Sequence, residues 1–222
     1  FYERLEIKNA IAYLKIIFNN NDNPSFERSI SNPTRGVGEK TLGKIRQTAQ
    51  KYNISYIKAS AKLIDEGSIS GRGGSGLRDY LEFVAGCKSF IEENSLSDLM
   101  ELIIKESGLY SYHAKEAGEK GKTRTENLEE LITATKNFEQ STKEEKTNTE
   151  IAENYLDVIS LDAGDRQAAE HDDAVQLMTM HSAKGLEFKL VLLTGLEESL
   201  FPHGRSMESA SQLEEERRLC YV

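Results

Sequence analysis

The sequence predicts a mainly α fold: a multi-helical domain followed by an incomplete α/β segment. Three observations carry this. Apolar residues recur at helical spacing from residue 4 to about residue 138. From 139 to about 173 the chain turns acidic and polar, the composition of a mobile connection with one short helix around Ile151–Ile159. Beyond it the period changes. "DAVQLMTMH" and "FKLVLLTGL" are short, apolar and partly β-branched, as strands of a sheet core are. The piece from 171 to 222 is too small to complete an α/β domain by itself.

Taken in order, Ile7, Ile11, Leu14 and Phe18 mark one face of a first helix. "NNNDNP" breaks it, because asparagine and proline favour turns. "SFERSI" is helical and leads to "TRGVG", a tight turn before a helix from about Lys40 to Lys51. Another helix covers about Ser55–Asp65, and the glycine-rich "EGSISGRGGSG" reads as a loop. Tyr80, Val84, Cys87 and Ile91 resume helical spacing. Ser95 with Asp98 forms a capping-box pattern before "LMELIIKESG", which Gly108 terminates. Leu128, Leu131, Thr135 and Phe138 mark one more helix, and "QLEEERRLCYV" opens a last one.

The net charge of −9 is unevenly distributed. Residues 139–173 hold eleven acids against three bases, and the remainder is close to neutral. Within that remainder, residues 32–51 carry Arg35, Lys40, Lys44, Arg46 and Lys51 against Glu39, a local +4 that a polyanion can use. No apolar run reaches the roughly 18–20 residues that cross a bilayer, and no signal-peptide pattern opens the chain. Cys87 and Cys220 lie far apart among helix formers, so both are expected as buried free thiols in a reducing, cytoplasmic compartment. A start at "FYERLEIKNA" and an end inside a helix are expected of a piece of a longer protein.

Four stretches are candidate sites. In "NPTRGVGEKTL", Thr34, Arg35, Gly36, Val37, Gly38, Lys40, Thr41 and Lys44 combine a glycine turn, a helix start and positive charge. Free amides at a helix start favour an anion, so a DNA phosphate fits. The pattern resembles the hairpin that grips DNA backbones without reading sequence; an ordinary turn between helices is the plainer alternative. "SGRGGSG" has no preceding strand and no Gly-Lys-Ser/Thr, so it is a flexible loop, with Arg72 a backbone contact at most. "GEKGKT" (118–123) has glutamate where a phosphate-binding loop needs glycine, leaving a solvated loop. His113 and His203 are expected at the surface and His171 in the acidic stretch, and no pair has metal-ligand spacing, so no metal is expected. The fourth stretch, "TMHSAKGLEF" (179–188), packs His181, Lys184, Gly185 and Glu187 into one bend between apolar runs, more chemistry than a plain connection needs.

With "VQLMTMHSAKGLEF", "FPHGR" and "EEERRLCYV" in this order, and "FYERLEIKNAIAYL" and "PTRGVGEKTL" before them, the chain resembles the UvrD/Rep/PcrA family of superfamily 1 DNA helicases. "GEKGKTRTENLEELITAT" is nearest its UvrD branch. The resemblance implies two RecA-like motor domains with ATP and Mg2+ between them and single-stranded DNA across the top. Residues 1–170 would then be the inserted helical domain called 2B, ending in the acidic linker. Residues 171–222 would be part of the motor domain 2A, with helicase motif V and the start of motif VI. It further implies that Glu187 accepts hydrogen bonds from the nucleotide ribose beside Gly185, that His181 and Lys184 lie near single-stranded DNA, and that "PTRGVGEKTL" meets duplex; Lys44 and Arg72 join that duplex contact on their charge alone. Walker A, Walker B and the motif VI Thr-Arg pair are absent from these 222 residues, so no catalytic residue is expected here, and Arg217 and Arg218 are expected on a helix surface. The activity implied is ATP-dependent 3′-to-5′ unwinding in DNA repair, with single-stranded DNA, duplex junctions and repair proteins as partners and no membrane. Two alternatives stay open: a regulatory DNA- or protein-binding module, and part of a recombination helicase–nuclease subunit.

Overall fold

The computed structural model describes residues 1–142, 146–162, 175, 177–180, 182–183, 185–197, 200–202, 206 and 209–221. Contacts group Phe1–Asp165 into one unit and Arg166–Val222 into another.

The first unit is built around α1 (Leu5–Phe18). Ile7 and Leu14 are buried, and so are Ala10, Tyr13, Ile16 and Ile17, so α1 is apolar nearly all round rather than on the single face its spacing predicts. It packs against α2 (Asn23–Ser31), α5 (Gly71–Glu93), α6 (Leu96–Glu106) and α8 (Glu119–Ser141). The Asp22 side chain caps α2 by accepting from the Ser25 amide at 2.9 Å, with Pro24 in the first turn. α3 (Glu39–Tyr52) ends at Asn53 in the left-handed region, and α4 (Tyr56–Asp65) starts on Ser55. α3 and α4 pack together as a hairpin.

Ser95 and Asp98 form the reciprocal cap that the sequence predicts, and Gly108, at φ 86°, separates α6 from α7 (Leu109–Ala114). Glu139 of α8 reinforces the same helix start, accepting from the Ser97 amide at 3.1 Å and its hydroxyl at 2.7 Å. α9 (Asn148–Asp162) seats Ala152, Tyr155 and Ile159 in the core against α5, α6 and α8. Part of the acidic stretch read as a mobile connection is therefore packed. Its apolar residues follow helical spacing, and burying a side chain the size of Ile159 gains about 1.5–3 kcal/mol whatever the charge of the outer face.

Two predicted loops are helical. The glycines of 71–76 form the start of α5, and "GEKGKT" starts α8. In both places glycine serves close packing. A Cβ on Gly76 would lie 1.9 Å from the Arg35 carbonyl oxygen, and one on Gly121 would lie 2.4 Å from that of Glu116. His113 is buried, not at the surface: its Nδ1 is 2.7 Å from Glu116, whose carboxylate also accepts from Arg124 at 2.6 Å. Cys87 is a buried free thiol, raised to about 12 by burial. Cys220, on the helix α10 (Ala210–Tyr221), is free but exposed, because its neighbours on that helix are charged.

In the second unit the two predicted strands are not strands among the described residues. Leu177, Leu190 and Leu192 lie 94, 77 and 81% exposed and belong to neither a helix nor a strand. A sheet-core strand takes hydrogen bonds from neighbours on both sides, and nothing among the described residues supplies them. His171 and His203 lie outside the described residues.

Candidate nucleic-acid interface

The turn between α2 and α3 begins at Asn32 and ends at Gly38, which starts α3. Gly36 has φ 75°, a left-handed conformation that costs a side-chain-bearing residue about 1–2 kcal/mol. Thr34, Gly36, Gly38 and Lys40 are exposed, and Val37 and Thr41 are half-buried. The first turn of α3 bonds inward only from Thr41, whose amide reaches the Gly38 carbonyl at 2.9 Å, and from Leu42, at 3.0 Å. The amides before them are the free donors that any helix start presents.

Its floor is α5. The stem of Arg72 lies over Gly36, 2.9 Å from where a Cβ there would sit, and Gly73 faces the Gly36 carbonyl. Thr34, Arg35, Arg72, Ser75, Gly76 and Asp79 line an open depression of about 470 Å³ beside the turn. The two glycine-rich stretches, far apart in sequence, thus form one structure.

Arg35 does not face outward as a phosphate contact would. Its guanidinium lies 5.8 Å from the ring centres of both Tyr13 and Tyr80. Through Nη2 it donates to the Tyr13 hydroxyl at 2.8 Å and to the Ser107 carbonyl at 2.9 Å. The Tyr13 hydroxyl in turn donates to the Asn32 carbonyl at 3.0 Å. Burial raises Tyr13 to about 12, partly offset by Arg35. Tyr13 is absent from the candidates the sequence offers, although a tyrosine inside an apolar helix signals a hydroxyl in need of a partner.

The local +4 is also smaller in space than in sequence. Arg46 is engaged by Glu27 at 2.6 and 2.8 Å and by Glu39, which together raise it. Lys51 lies 5.1 Å from the Tyr52 ring centre. Lys44 donates to the Ser68 carbonyl at 2.9 Å with two protons left over. Lys40, Lys44 and Arg72 are the exposed cations nearest the turn, with Asp79 opposing them.

In the second unit, Thr179 nucleates the other bend. Its hydroxyl accepts from the Ser182 amide at 3.2 Å, and the Ala183 amide reaches its carbonyl at 3.1 Å. Gly185 follows at φ 82°, and the Leu186 amide closes on the Ala183 carbonyl at 3.0 Å. Glu187 is exposed and makes no hydrogen bond or ion pair with another described residue. His181 and Lys184 lie outside the described residues. Arg217 and Arg218 both engage Glu214 on α10, and Arg217 lowers that carboxyl.

Among the described residues no His, Cys, Asp or Glu side chains are grouped to hold a metal ion. No helix is long and apolar enough to cross a membrane, again among the described residues.

Comparison with known proteins matches residues 1–70 and 77–222 to the UvrD-like helicase C-terminal domain. The six residues outside the match are the glycine-rich start of α5. DNA helicase II of Escherichia coli strain K12 is 44% identical over 222 residues, all of this chain and 31% of that protein. DNA helicase II of Haemophilus influenzae is also 44% identical, and the ATP-dependent DNA helicase PcrA of Bacillus subtilis strain 168 is 36% identical over 224 residues. The chain thus spans about a third of the length of these relatives, and it belongs to the UvrD-like helicase C-terminal domain family.

Proposed function

We propose that this chain is the part of an ATP-dependent 3′-to-5′ DNA helicase that holds the duplex ahead of the motor and completes the coupling site, acting in DNA repair. Residues 1–170 serve as the 2B-like duplex-binding domain and 171–222 as part of motor domain 2A. The observation that carries this is the turn at 34–41. A glycine bend with free amides at a helix start is joined by the exposed Lys40 and Lys44, one helical turn apart on α3, and by Arg72, whose stem lies against Gly36, the equipment for gripping a phosphate backbone without reading bases. Thr34 and Thr41 add hydroxyl donors, and Gly36, Val37 and Gly38 add backbone ones.

Gly185 and Glu187 meet the nucleotide edge in this proposal, with His181 and Lys184 toward single-stranded DNA. When bound, ATP with Mg2+ supplies the free energy for strand movement. The chain's own share is to orient the ribose, because the phosphate-binding motifs lie outside these 222 residues. The chain by itself should therefore turn over no ATP.

The test is binding of a short duplex with a 3′ single-stranded tail, followed by fluorescence anisotropy across a salt series. Three phosphate contacts predict a slope of log K against log salt of about −2.7, and Lys40→Ala should bring it about one unit nearer zero. Binding that ignores salt, or that survives Lys40→Ala and Arg72→Ala unchanged, would overturn the proposal.

A further inference from the structure

We infer that Arg35 and Tyr13 act as positioning residues for the duplex-gripping turn, holding its backbone in place without touching DNA. The inference rests on the proposed duplex contact and deepens it. Arg35 stands in the middle of the basic stretch, yet its charge is spent inward, on two ring faces, the Tyr13 hydroxyl and the Ser107 carbonyl. Its Nε is buried with no hydrogen-bond partner, so the guanidinium has not merely folded down from solvent. Leaving that donor unmet costs free energy that the remaining contacts must offset.

The Tyr13 hydroxyl touches the turn at two places. It donates to the Asn32 carbonyl on the entering side and accepts from Arg35 within the turn, and Tyr13 itself is fully buried on α1. Tyr80, the other ring under Arg35, is fixed by the Ser29 hydroxyl at 2.6 Å. The Arg35 carbonyl meanwhile rests on Gly76, where a methyl group has no room. Side chain and backbone of one residue therefore pin the turn from both sides. A buried hydroxyl cannot meet a phosphate, so any effect of its removal on DNA binding passes through the turn.

Tyr13→Phe tests this while keeping the ring, the volume and every charge. The same tailed duplex and salt series are used, and circular dichroism melting reports whether the variant is folded. Tyr13→Phe should weaken binding about three- to tenfold, the scale of one or two lost hydrogen bonds, with the salt slope unchanged. Arg35→Gln should likewise weaken binding and leave the slope within a few tenths of its value. A slope nearer zero by about one for Arg35→Gln, with Tyr13→Phe binding as tightly as the unsubstituted chain, would make Arg35 a direct phosphate contact and overturn the inference. Failure of the unsubstituted chain to bind duplex would instead remove the duplex contact on which the inference rests.

Discussion

Two bends in this chain carry comparable equipment, a glycine at positive φ, a threonine and basic residues, but they are held differently. The bend at 34–38 rests on α5, is pinned by Tyr13 and Ser107, and leads directly into α3. The bend at 179–187 is held by its own Thr179 and Gly185, between apolar residues that lie mostly open to solvent. A turn needs only neighbours in sequence, so both bends form. A sheet needs neighbours in space, and none of the described residues pairs with the runs beside the second bend.

Core deletions should separate the two regions most. Leu131→Ala removes a fully buried side chain on α8 and should cost about 2–5 kcal/mol in urea unfolding. Leu192→Ala, at 81% exposed, should stay within about 0.5 kcal/mol. Equal costs would mean that the second region is packed after all.

Next in size is a contrast within one helix. Gly76→Ala should destabilise by about 1–3 kcal/mol, because its methyl group meets the Arg35 carbonyl. Gly86→Ala, also in α5, meets nothing within 4 Å and should stabilise by about 0.5–1 kcal/mol. The same sign for both in thermal melts would remove the close seating of the turn.

Caps come third. Ser95→Ala should cost about 1 kcal/mol, since it removes the reciprocal cap of a helix bound into the core. Thr179→Ala should leave global unfolding unchanged, because among the described residues its hydroxyl and carbonyl bond only to Ser182 and Ala183.

The smallest effect is on pH dependence. The hydrogen bond with His113, and then Arg124, hold the Glu116 carboxyl below its ordinary value of about 4.5. A lowered carboxyl adds stability that is present above that value and is lost as pH falls through the lowered one. Glu116→Gln should therefore flatten the acid side of a melting-temperature profile. Parallel profiles would mean that Glu116 contributes nothing there.

Much of the helical unit was legible in the sequence because its signals are local. The Ser95–Asp98 box, Gly108 and the spacing of Leu128, Leu131 and Thr135 each depend on residues within a turn or two. Glycine misled at 71–76 and 118–123. A glycine that breaks a helix and one that lets a helix approach a carbonyl look alike until the carbonyl, at Arg35 or Glu116, is brought near by the fold. Arg35 misled for the same reason: whether a basic residue faces solvent or two tyrosines is decided by helices 22 and 45 residues away. The bend around Gly185 was legible as a turn, but its flanking strands were not realised, since their hydrogen-bond partners are not among the described residues.

Amide hydrogen exchange across residues 34–41, with and without the tailed duplex, tests the duplex-gripping turn most directly. Phosphate on the free amides should slow exchange at Gly36, Val37, Gly38 and the first residues of α3 while leaving the buried core of α6 as it was. Bound duplex with exchange at 34–41 unaltered, and protection appearing elsewhere, would contradict it.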